Sequence, residues 1–361
     1  MKKLRVLHVG NMLGLGLRLA KIQRKQGIDA HLYLPYDSPV QTYSSMTWQE
    51  QKKQPWVHHW RLNGFLGVPE RLLFMQGFDV VQTYAMANTY CWLSGKKIVA
   101  YPMGSDLRKD AQKNNFTGLL LRKGFTSADK LVISGPYFKK SIKKYGLKDK
   151  CVYIPQPIDL ENLKPAYSFS SKGLLFFHPG RLALEERGTK RLLDGLALFF
   201  ERHPKTAVRI EFVDHGADSK EVKAIIERLG ISGFCSFIKP MKSGRLTEKM
   251  SRADLVLENT NPAWGTYGLA ALEAMALGRP VLTYLDFTET GYPQWLGRDL
   301  PPVISEFKPK RICRRLEDFV FSSVSEKKAL AKATRLWVER WHSPERIARK
   351  YVELYNEVCS S

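Results

Sequence analysis

Short apolar runs alternate with amphipathic stretches along almost the whole chain, and this alternation limits the fold more than any other feature. Residues 4–9 and 30–34 have the character of buried strands, and residues 17–26 between them have helical spacing and end at Gly27. A strand, a glycine-containing turn, a helix and a second strand form a βαβ unit, which requires a parallel sheet. The sequence therefore predicts an α/β fold with doubly wound sheets.

The same pattern occurs in both halves of the chain. Further strands are predicted in the first half, and the second half repeats the alternation of strands and helices. A polar connector, residues 164–172, separates the two halves. The strands are predicted at 79–83, 97–101, 130–134, 151–154, 174–177, 208–213, 235–238, 254–258 and 280–284, and the helices at 189–202, 219–229 and 269–277.

A chain of 361 residues is longer than one core usually supports, so two domains are expected. We predict two Rossmann-like domains that face a central cleft, an N-terminal domain at 1–165 and a C-terminal domain at 166–342. Apolar residues at helical spacing in the tail (Ile347, Tyr351, Leu354, Tyr355 and Val358) predict a terminal helix, about 343–361, that completes the first domain.

Composition narrows the class of protein. The net charge is +22, and residues 1–165 hold 26 Lys and Arg against 11 Asp and Glu. A basic surface of this kind suits anionic lipid, nucleic acid or a phosphate-rich substrate. Five scattered cysteines without a C-x-x-C pair predict neither a disulfide framework nor a zinc site. No apolar run approaches the roughly 20 residues of a spanning helix, so we expect a cytoplasmic protein.

Three segments could bind a phosphorylated ligand. The turn after the first strand contains Gly14 and Gly16, which would let backbone amides approach a ligand, although it lacks the G-x-G-x-x-G dinucleotide pattern. The second segment holds His178-Pro179-Gly180-Arg181 at a strand end and Arg187-Gly188-Thr189-Lys190 at a helix start. These cations would flank a diphosphate, or they would simply form two solvated basic loops.

The third segment runs from Trp264 to Leu282 and is the most specific of the three. A glycine loop, Gly265 to Gly268, opens a helix whose first turn would offer free amides and a positive dipole to phosphate. Glu273 falls about one turn further along, where a carboxylate can accept hydrogen bonds from a ribose diol. The helix would end at Gly278.

Together these segments resemble the GT-B fold glycosyltransferases, and in particular the retaining enzymes of family 4. Gly180-Arg181 and Arg187-Gly188 are similar to that family's G-R–x–K-G element, with Lys190 as a possible substitute for the lysine. Tyr267-Gly268-Leu269 and Glu273-Ala274-Met275-Ala276 resemble its F-G-L-x-x-x-E-A-M-A element. In the first half, the segments 104–108 and 154–159 resemble the family's G-S-D-x-R and P-N-G/P-x-D elements.

Two positions depart from the family pattern. Gly265 stands where the family has its first glutamate, and Met103 stands where it has a histidine before G-S-D. Trp264 could fill the vacated space, or Glu258 or Asn259 could supply the missing contacts. Sugar recognition is therefore expected to differ, whereas phosphate and ribose binding look intact.

The resemblance implies a glycosyltransferase that uses a nucleotide diphosphate sugar as co-substrate, with no cofactor and no metal. Arg181, Arg187, Lys190 and Asp106 are the predicted catalytic residues, although Asp106 could equally cap the next helix. The predicted donor-binding residues are Gly14, Gly16, Tyr267, Gly268, Leu269 and Glu273. The expected acceptor is a glycan or a lipid-linked molecule, and the basic first domain is expected to touch an anionic membrane.

Three other classes stay open at this stage. An epimerase or a phosphorylase of the same fold would share the nucleotide-binding half. A nucleic-acid-binding protein would explain the charge, but no helix-turn-helix, zinc or RNP-type signature occurs, so no nucleic-acid partner is predicted. A catalytically inactive GT-B partner subunit would explain Gly265.

Overall fold

The computed structural model describes residues 3–35, 54–170, 172–288 and 299–360. The chain divides into two compact units, a first unit of Met1–Pro157 with Pro344–Ser361 and a second unit of Ile158–Ser343. The sequence-based boundaries were 165/166 and 342/343, within eight residues of these. Each unit contains its own parallel sheet.

The first unit contains a seven-stranded parallel sheet in the order β3-β2-β1-β4-β5-β6-β7. Its strands are β1 (Arg5–Val9), β2 (Asp29–Pro35), β3 (Val57–Trp60), β4 (Val80–Tyr84), β5 (Lys97–Tyr101), β6 (Lys130–Ile133) and β7 (Cys151–Tyr153). The middle strands are buried at consecutive positions because helices cover both faces of a parallel sheet.

The helices of the first unit connect these strands. They are α1 (Leu15–Lys25), α2 (Val68–Met75), α3 (Ser105–Arg108), α4 (Phe116–Ser127) and α5 (Lys139–Lys144). Two 3₁₀ segments, Ala85–Thr89 and Cys91–Ser94, lie between β4 and β5. Helix α4 begins at Asn115, whose side chain accepts a hydrogen bond from the Gly118 amide, as an N-cap does.

The second unit contains a six-stranded parallel sheet in the order β10-β9-β8-β11-β12-β13. Its strands are β8 (Leu174–His178), β9 (Val208–Val213), β10 (Cys235–Ile238), β11 (Leu255–Leu257), β12 (Val281–Thr283) and β13 (Ile304–Ser305). Its helices are α6 (Thr189–Arg202), α7 (Ser219–Arg228), α8 (Ser243–Ser251), α9 (Leu269–Ala276), α10 (Pro309–Phe321) and α11 (Val324–His342). Between β8 and β11 the strand order changes direction, and ligands bind at such a switch point in open α/β sheets.

The last helix, α12 (Pro344–Ser360), returns to the first unit. Pro344 occupies its first position, where a missing N–H costs nothing. Its apolar face joins the core formed by β1, β2, β4 and α1. The residues of that face are Ile347, Ala348, Tyr351, Leu354, Tyr355 and Val358, all buried.

These observations confirm the predicted α/β fold. The predicted strands at 97–101, 208–213 and 235–238 and the helix at 189–202 agree with the structure to the residue. The sequence-based assignment omitted β3 and β13. Strand β3 is a four-residue edge strand with two histidines, and its His58 is hydrogen-bonded to His31 of β2 at 2.8 Å.

Within the described residues, no helix combines the length and the apolar character that a membrane-spanning segment needs.

Candidate functional site

Arg187 is the central side chain of the candidate site. It lies in the loop that leaves the carboxyl end of β8, at the switch point of the second sheet. Its guanidinium carbon is 5.3 Å from the centre of the Trp264 ring, and Nη1 is 3.8 Å from Oε1 of Glu258. Its Nε–H is buried and has no hydrogen-bond partner among the described residues. A half-buried cation with an unused donor can bind an anionic ligand.

The segment after β11 holds this loop in place. The Thr260 amide donates to the Arg187 carbonyl at 3.1 Å, and the Thr260 hydroxyl donates to the Gly188 carbonyl at 2.8 Å. The Asn261 side-chain amide donates to the carbonyls of residues 185 and 186. Gly188 has a φ of +70°, and a Cβ there would lie 2.7 Å from the Asn261 nitrogen. Only glycine allows this approach.

Helix α9 begins beside the same point. Gly268 is its N-cap residue, so the amides of the first turn have no acceptor within the helix. The carboxylate of Glu258 lies against this helix start, since a Cβ at Gly268 would be 2.7 Å from Oε1 of Glu258. Glu258 is buried, and its Oε2 accepts a hydrogen bond from the Asn259 amide at 2.8 Å. A carboxylate at a helix N-terminus is electrostatically favourable.

Glu273 lies on the partly exposed face of α9. Ala271, Leu272 and the residues 274–276 are buried, whereas Leu269, Ala270 and Glu273 are partly exposed. Residues at positions i, i+3 and i+4 share one face of a helix. Glu273 therefore lies on the same side of α9 as the amides of the first turn, one turn further along the helix. Glu273 is therefore partly exposed on the face of α9 that continues from the helix start.

The structure explains why position 265 is a glycine. Gly265 has a φ of +55°, and a Cβ there would lie 2.9 Å from Cβ of Asp286. Any L-residue at this position would be strained. The neighbouring Trp264 stacks on Arg187. Among the described residues, the carboxylate nearest the start of α9 is that of Glu258.

Three other predicted residues of this unit lie in different environments. Arg181 is exposed and makes no hydrogen bond or ion pair to a described residue. Lys190 is exposed and pairs with Asp194 on α6 at 3.2 Å. The Tyr267 hydroxyl contacts Nε2 of His342 at 3.1 Å, and its ring packs edge-on against Trp337. The Tyr267 side chain therefore packs in the core, and only its backbone faces the helix start.

His178 ends strand β8 next to this site. It is buried, and burial, together with the positive charge of Arg187, lowers the pKa of its imidazole to about 4. The ring is thus neutral at pH 7. Its Nδ1 has no hydrogen-bond partner among the residues that the structure describes.

Asp106 in the first unit binds backbone amides. Its carboxylate accepts hydrogen bonds from the amides of Met103, Gly104 and Leu107 at 2.9–3.0 Å. Burial raises its pKa, and these hydrogen bonds oppose the rise. Asp106 lies in the first turn of α3, whose N-cap residue is Gly104, and both of its oxygens accept from the amide of Met103 in the loop before the helix.

The two glycines of the first turn serve the packing of α1. Gly14 has a φ of +70° and precedes the helix. A Cβ on Gly16 would lie 2.3 Å from the Gly10 carbonyl oxygen, so Gly16 lets α1 pack closely on the loop after β1. Their role in donor binding stays a prediction.

Sequence reasoning missed Thr260, Asn261 and Asp286. The first two follow the buried strand β11 in a polar run, Glu258-Asn259-Thr260-Asn261, and such a run after a parallel strand could have pointed to them. A cavity of about 840 Å³ also occurs in this unit, lined by Lys172, Leu174, Lys205, Ala207 and Arg209 among others. It lies at the amino ends of β8 and β9, at the opposite edge of the sheet from Arg187, and we assign it no role.

Residues 159–289 match the family model of the glycosyl transferases group 1. This segment contains Arg187, Glu258, Gly268 and Glu273. The uncharacterized glycosyltransferase YqgM of Bacillus subtilis (strain 168) is 23% identical over 235 residues, which cover 65% of this chain and 63% of YqgM. The D-inositol 3-phosphate glycosyltransferase of Nocardia farcinica (strain IFM 10152) is 28% identical over 158 residues, 40% of this chain and 34% of that protein. The chain thus matches less than two thirds of the length of either relative.

The fold comparison extends over the whole chain. The crystal structure of a glycosyltransferase from Rickettsia africae ESF-5 superposes with a TM-score of 0.72 at 16% identity, covering 99% of both chains. The chain therefore has the fold of this glycosyltransferase, with two parallel sheets. The match of residues 159–289 to a glycosyl transferase family agrees with the resemblance to GT-B glycosyltransferases found in the sequence.

Proposed function

We propose that this protein transfers a glycosyl group from a nucleotide diphosphate sugar to a hydroxyl group of a glycan or lipid-linked acceptor. The observation that carries the proposal is Arg187, whose Nε–H is free and whose contact Glu258 lies against the start of α9, the helix that carries Glu273. The arrangement suits a diphosphate at Arg187 and the helix start, with the ribose next to it at Glu273. The match of residues 159–289 to a glycosyltransferase family supports this choice of ligand.

Each residue has a distinct task in this proposal. The bond between the anomeric carbon and the diphosphate breaks, and negative charge develops on the departing phosphate. Arg187 and the amides at Gly268 and Leu269 stabilise that charge, and one such contact contributes about 3 kcal/mol to the transition state. Glu273 accepts hydrogen bonds from the ribose hydroxyls. We propose that Glu258 takes the place of the family's first glutamate and binds sugar hydroxyls.

The other parts of the proposal follow from the resemblance and from charge. Retention of anomeric configuration, transfer of a hexose and independence from metal are what a family 4 enzyme would show. The positive charge of residues 1–165 suits a phosphate-bearing or membrane-bound acceptor, as in the synthesis of cell-surface polysaccharide or glycolipid. We propose a cytoplasmic protein that attaches peripherally to the inner face of the membrane.

Thermal stabilisation by nucleotides tests the donor site. UDP, GDP, ADP and their sugar conjugates are added to the wild-type protein and to the variants Arg187→Ala and Glu273→Ala. One nucleotide should raise the melting temperature, because binding to the native state stabilises it. Both variants should lose that rise. Arg228→Ala, an exposed arginine on α7, is the matched control and should keep it.

Turnover of the donor that binds best then tests the chemistry. Arg187→Ala should lower kcat by about a hundredfold or more, the usual effect of removing one charge-stabilising donor. If no nucleotide raises the melting temperature, the donor proposal is wrong. The inactive partner subunit, which the glycine at position 265 favours, would then be the better assignment.

A further inference from the structure

The first unit carries large apolar side chains on its surface in three segments that follow strand ends. In the loop after β3, Phe65 is 70% exposed and Leu66 is 86% exposed. At the start of α4, Phe116 and Leu119 are 60% and 55% exposed, and Leu73 of α2 is 75% exposed. Exposed leucines are common singly, but a group of large apolar side chains indicates a binding surface.

Two of these segments, the loop after β3 and the start of α4, meet at the surface. The ring centres of Phe65 and Phe116 are 5.7 Å apart, although the residues are 51 positions apart in the chain. Strands β3 and β5 are parallel, so the segments that follow them leave the same carboxyl edge of the sheet. Ligands of doubly wound sheets bind at that edge. The apolar group therefore lies at the edge where this unit would meet an acceptor.

The loop that presents Phe65 and Leu66 has a defined conformation. Arg71 is buried, and its guanidinium donates to the carbonyls of Gly64 and Gly67. The same guanidinium packs on the rings of Trp60 and Tyr90, at 5.3 and 4.4 Å. A buried arginine that binds the loop from below holds its apolar side chains outward. The exposure of Phe65 and Leu66 is therefore a consequence of the fold.

Cations lie beside the apolar group. Lys123 is four residues after Leu119 and seven after Phe116, so it shares their face of α4. Arg61, Lys109 and Lys113 are exposed in the adjoining segments. The acidic groups there are already engaged: Glu70 accepts hydrogen bonds from the amides of residues 61 and 62, and Asp110 pairs with Lys113.

We propose that this surface, formed by Phe65, Leu66, Phe116 and Leu119 with Lys109 and Lys123, binds an anionic lipid bilayer. Apolar side chains enter the boundary between headgroups and acyl chains, and the cations contact anionic headgroups. The net positive charge of the unit complements such a membrane and would disfavour a second copy of the same chain. The inference rests on the proposed function in one respect, since it brings the carboxyl edge to a lipid-linked acceptor.

Vesicle co-sedimentation tests this surface with the full chain and no nucleotide. The probes are vesicles of phosphatidylcholine alone and vesicles in which about a third of the lipid is phosphatidylglycerol. We expect binding to the anionic vesicles only and a weakening at high salt. The double variant Phe65→Ser/Leu66→Ser should lower the partition coefficient by about tenfold or more, because two exposed apolar groups are lost. Lys109→Glu/Lys123→Glu should lower it by a similar factor.

Matched controls come from the second unit. Leu336 is 63% exposed, and Leu336→Ser should bind vesicles like the wild type; Lys220→Glu is the charge control. Unchanged melting temperatures show that each variant is folded. Equal partition of wild type and both double variants would overturn the inference. So would a dimer that dissociates in the Phe65→Ser/Leu66→Ser variant while vesicles stay unbound.

The nucleotide-dependent rise in melting temperature separates this inference from the proposed function. It should be the same in the wild type and in the Phe65→Ser/Leu66→Ser variant. Vesicle binding without any nucleotide effect would support the lipid-binding surface and contradict the donor site. A nucleotide effect without vesicle binding would support the donor site and contradict the lipid-binding surface.

Discussion

Single residues decide how this protein departs from the family pattern that it resembles, and Gly265 shows why. The resemblance to family 4 places a glutamate at this position, yet the backbone here has a φ of +55° and Asp286 lies within contact of any added Cβ. A glutamate could not be introduced without strain. The carboxylate of Glu258 instead lies at the start of α9. The chain therefore keeps a negative charge near the site but supplies it from Glu258, seven residues earlier in the same connection between β11 and α9.

We expect Gly265→Ala to lower the free energy of unfolding by about 1–2 kcal/mol, because an L-residue is strained in the left-handed region. Gly244→Ala is the matched control. Gly244 lies in α8 with no atom near an added Cβ, and alanine favours a helix there. Chemical denaturation of both variants measures the difference. Equal stabilities of the two variants would contradict the strain argument.

His8 makes the first unit sensitive to acid. It is fully buried between Tyr84 and Gln23, and burial lowers the pKa of its imidazole to about 4. The unfolded chain has an ordinary histidine pKa of about 6.5. Between these values the unfolded state binds the proton and the folded state does not. The contribution of His8 to stability is therefore complete above about pH 6.5 and is lost as the pH falls toward about 4.

This reasoning predicts a measurable slope. As the pH falls from about 6.5 toward about 4, the stability of the wild type should drop more steeply than that of His8→Gln. The difference should approach about 1.4 kcal/mol per pH unit, which corresponds to one proton. Unfolding by urea at several pH values gives both curves. Parallel curves would show that His8 does not titrate in this range.

At the scale of elements, the last helix completes the core of the first unit. Besides its apolar face, α12 takes part in a buried chain of hydrogen bonds. Gln23 on α1 donates to the Tyr355 hydroxyl at 3.0 Å, and that hydroxyl donates to Gln82 on β4 at 2.9 Å. Gln23 also accepts from His8. Most buried polar groups are hydrogen-bonded, although Nε2 of Gln82 has no partner among the described residues.

We expect Tyr355→Phe to destabilise the first unit by about 1–3 kcal/mol, because the buried amides of Gln23 and Gln82 each lose a partner while the ring still fills its space. Tyr351→Phe, in the same core, is the control for a lost tyrosine hydroxyl. Thermal melting followed by circular dichroism measures both. A loss no larger for Tyr355→Phe than for Tyr351→Phe would argue against the network.

At the scale of the whole molecule, the two units differ in charge and in the ligands we assign to them. The family match lies in the second unit, whereas most of the excess positive charge lies in residues 1–165. We assign the nucleotide to the second unit and the membrane to the first. The two assignments can be tested separately because each unit has its own sheet and core.

Hydrogen exchange with mass spectrometry should locate the nucleotide. The nucleoside diphosphate that stabilises the protein should slow amide exchange in residues 183–190 and 258–270 of the second unit. Ligand contacts with backbone amides protect them directly. The core strand β4 of the first unit serves as the internal control. Protection at Gly10–Gly16 instead would move the donor site to the turn after β1 and support the predicted role of Gly14 and Gly16.

Much of this architecture is determined by local patterns in the sequence. Parallel strands and amphipathic helices bury their apolar residues in regular periods, so most elements and the α/β fold could be predicted. The GT-B class came from the resemblance of three segments to a known family. The segment around Glu273 could be identified because a glycine loop, a helix start and a carboxylate one turn on are close in sequence.

Only the tertiary structure decided which residues of the site meet. It placed Thr260 and Asn261 on the Arg187 loop and Glu258 on the start of α9, although these partners are 10–76 residues apart. It also assigned Asp106 to its neighbouring amides and Tyr267 to core packing. Periodicity records which way a side chain faces, but the approach of two strand ends depends on the register and twist of the whole sheet. That information is not contained in any local stretch of the chain.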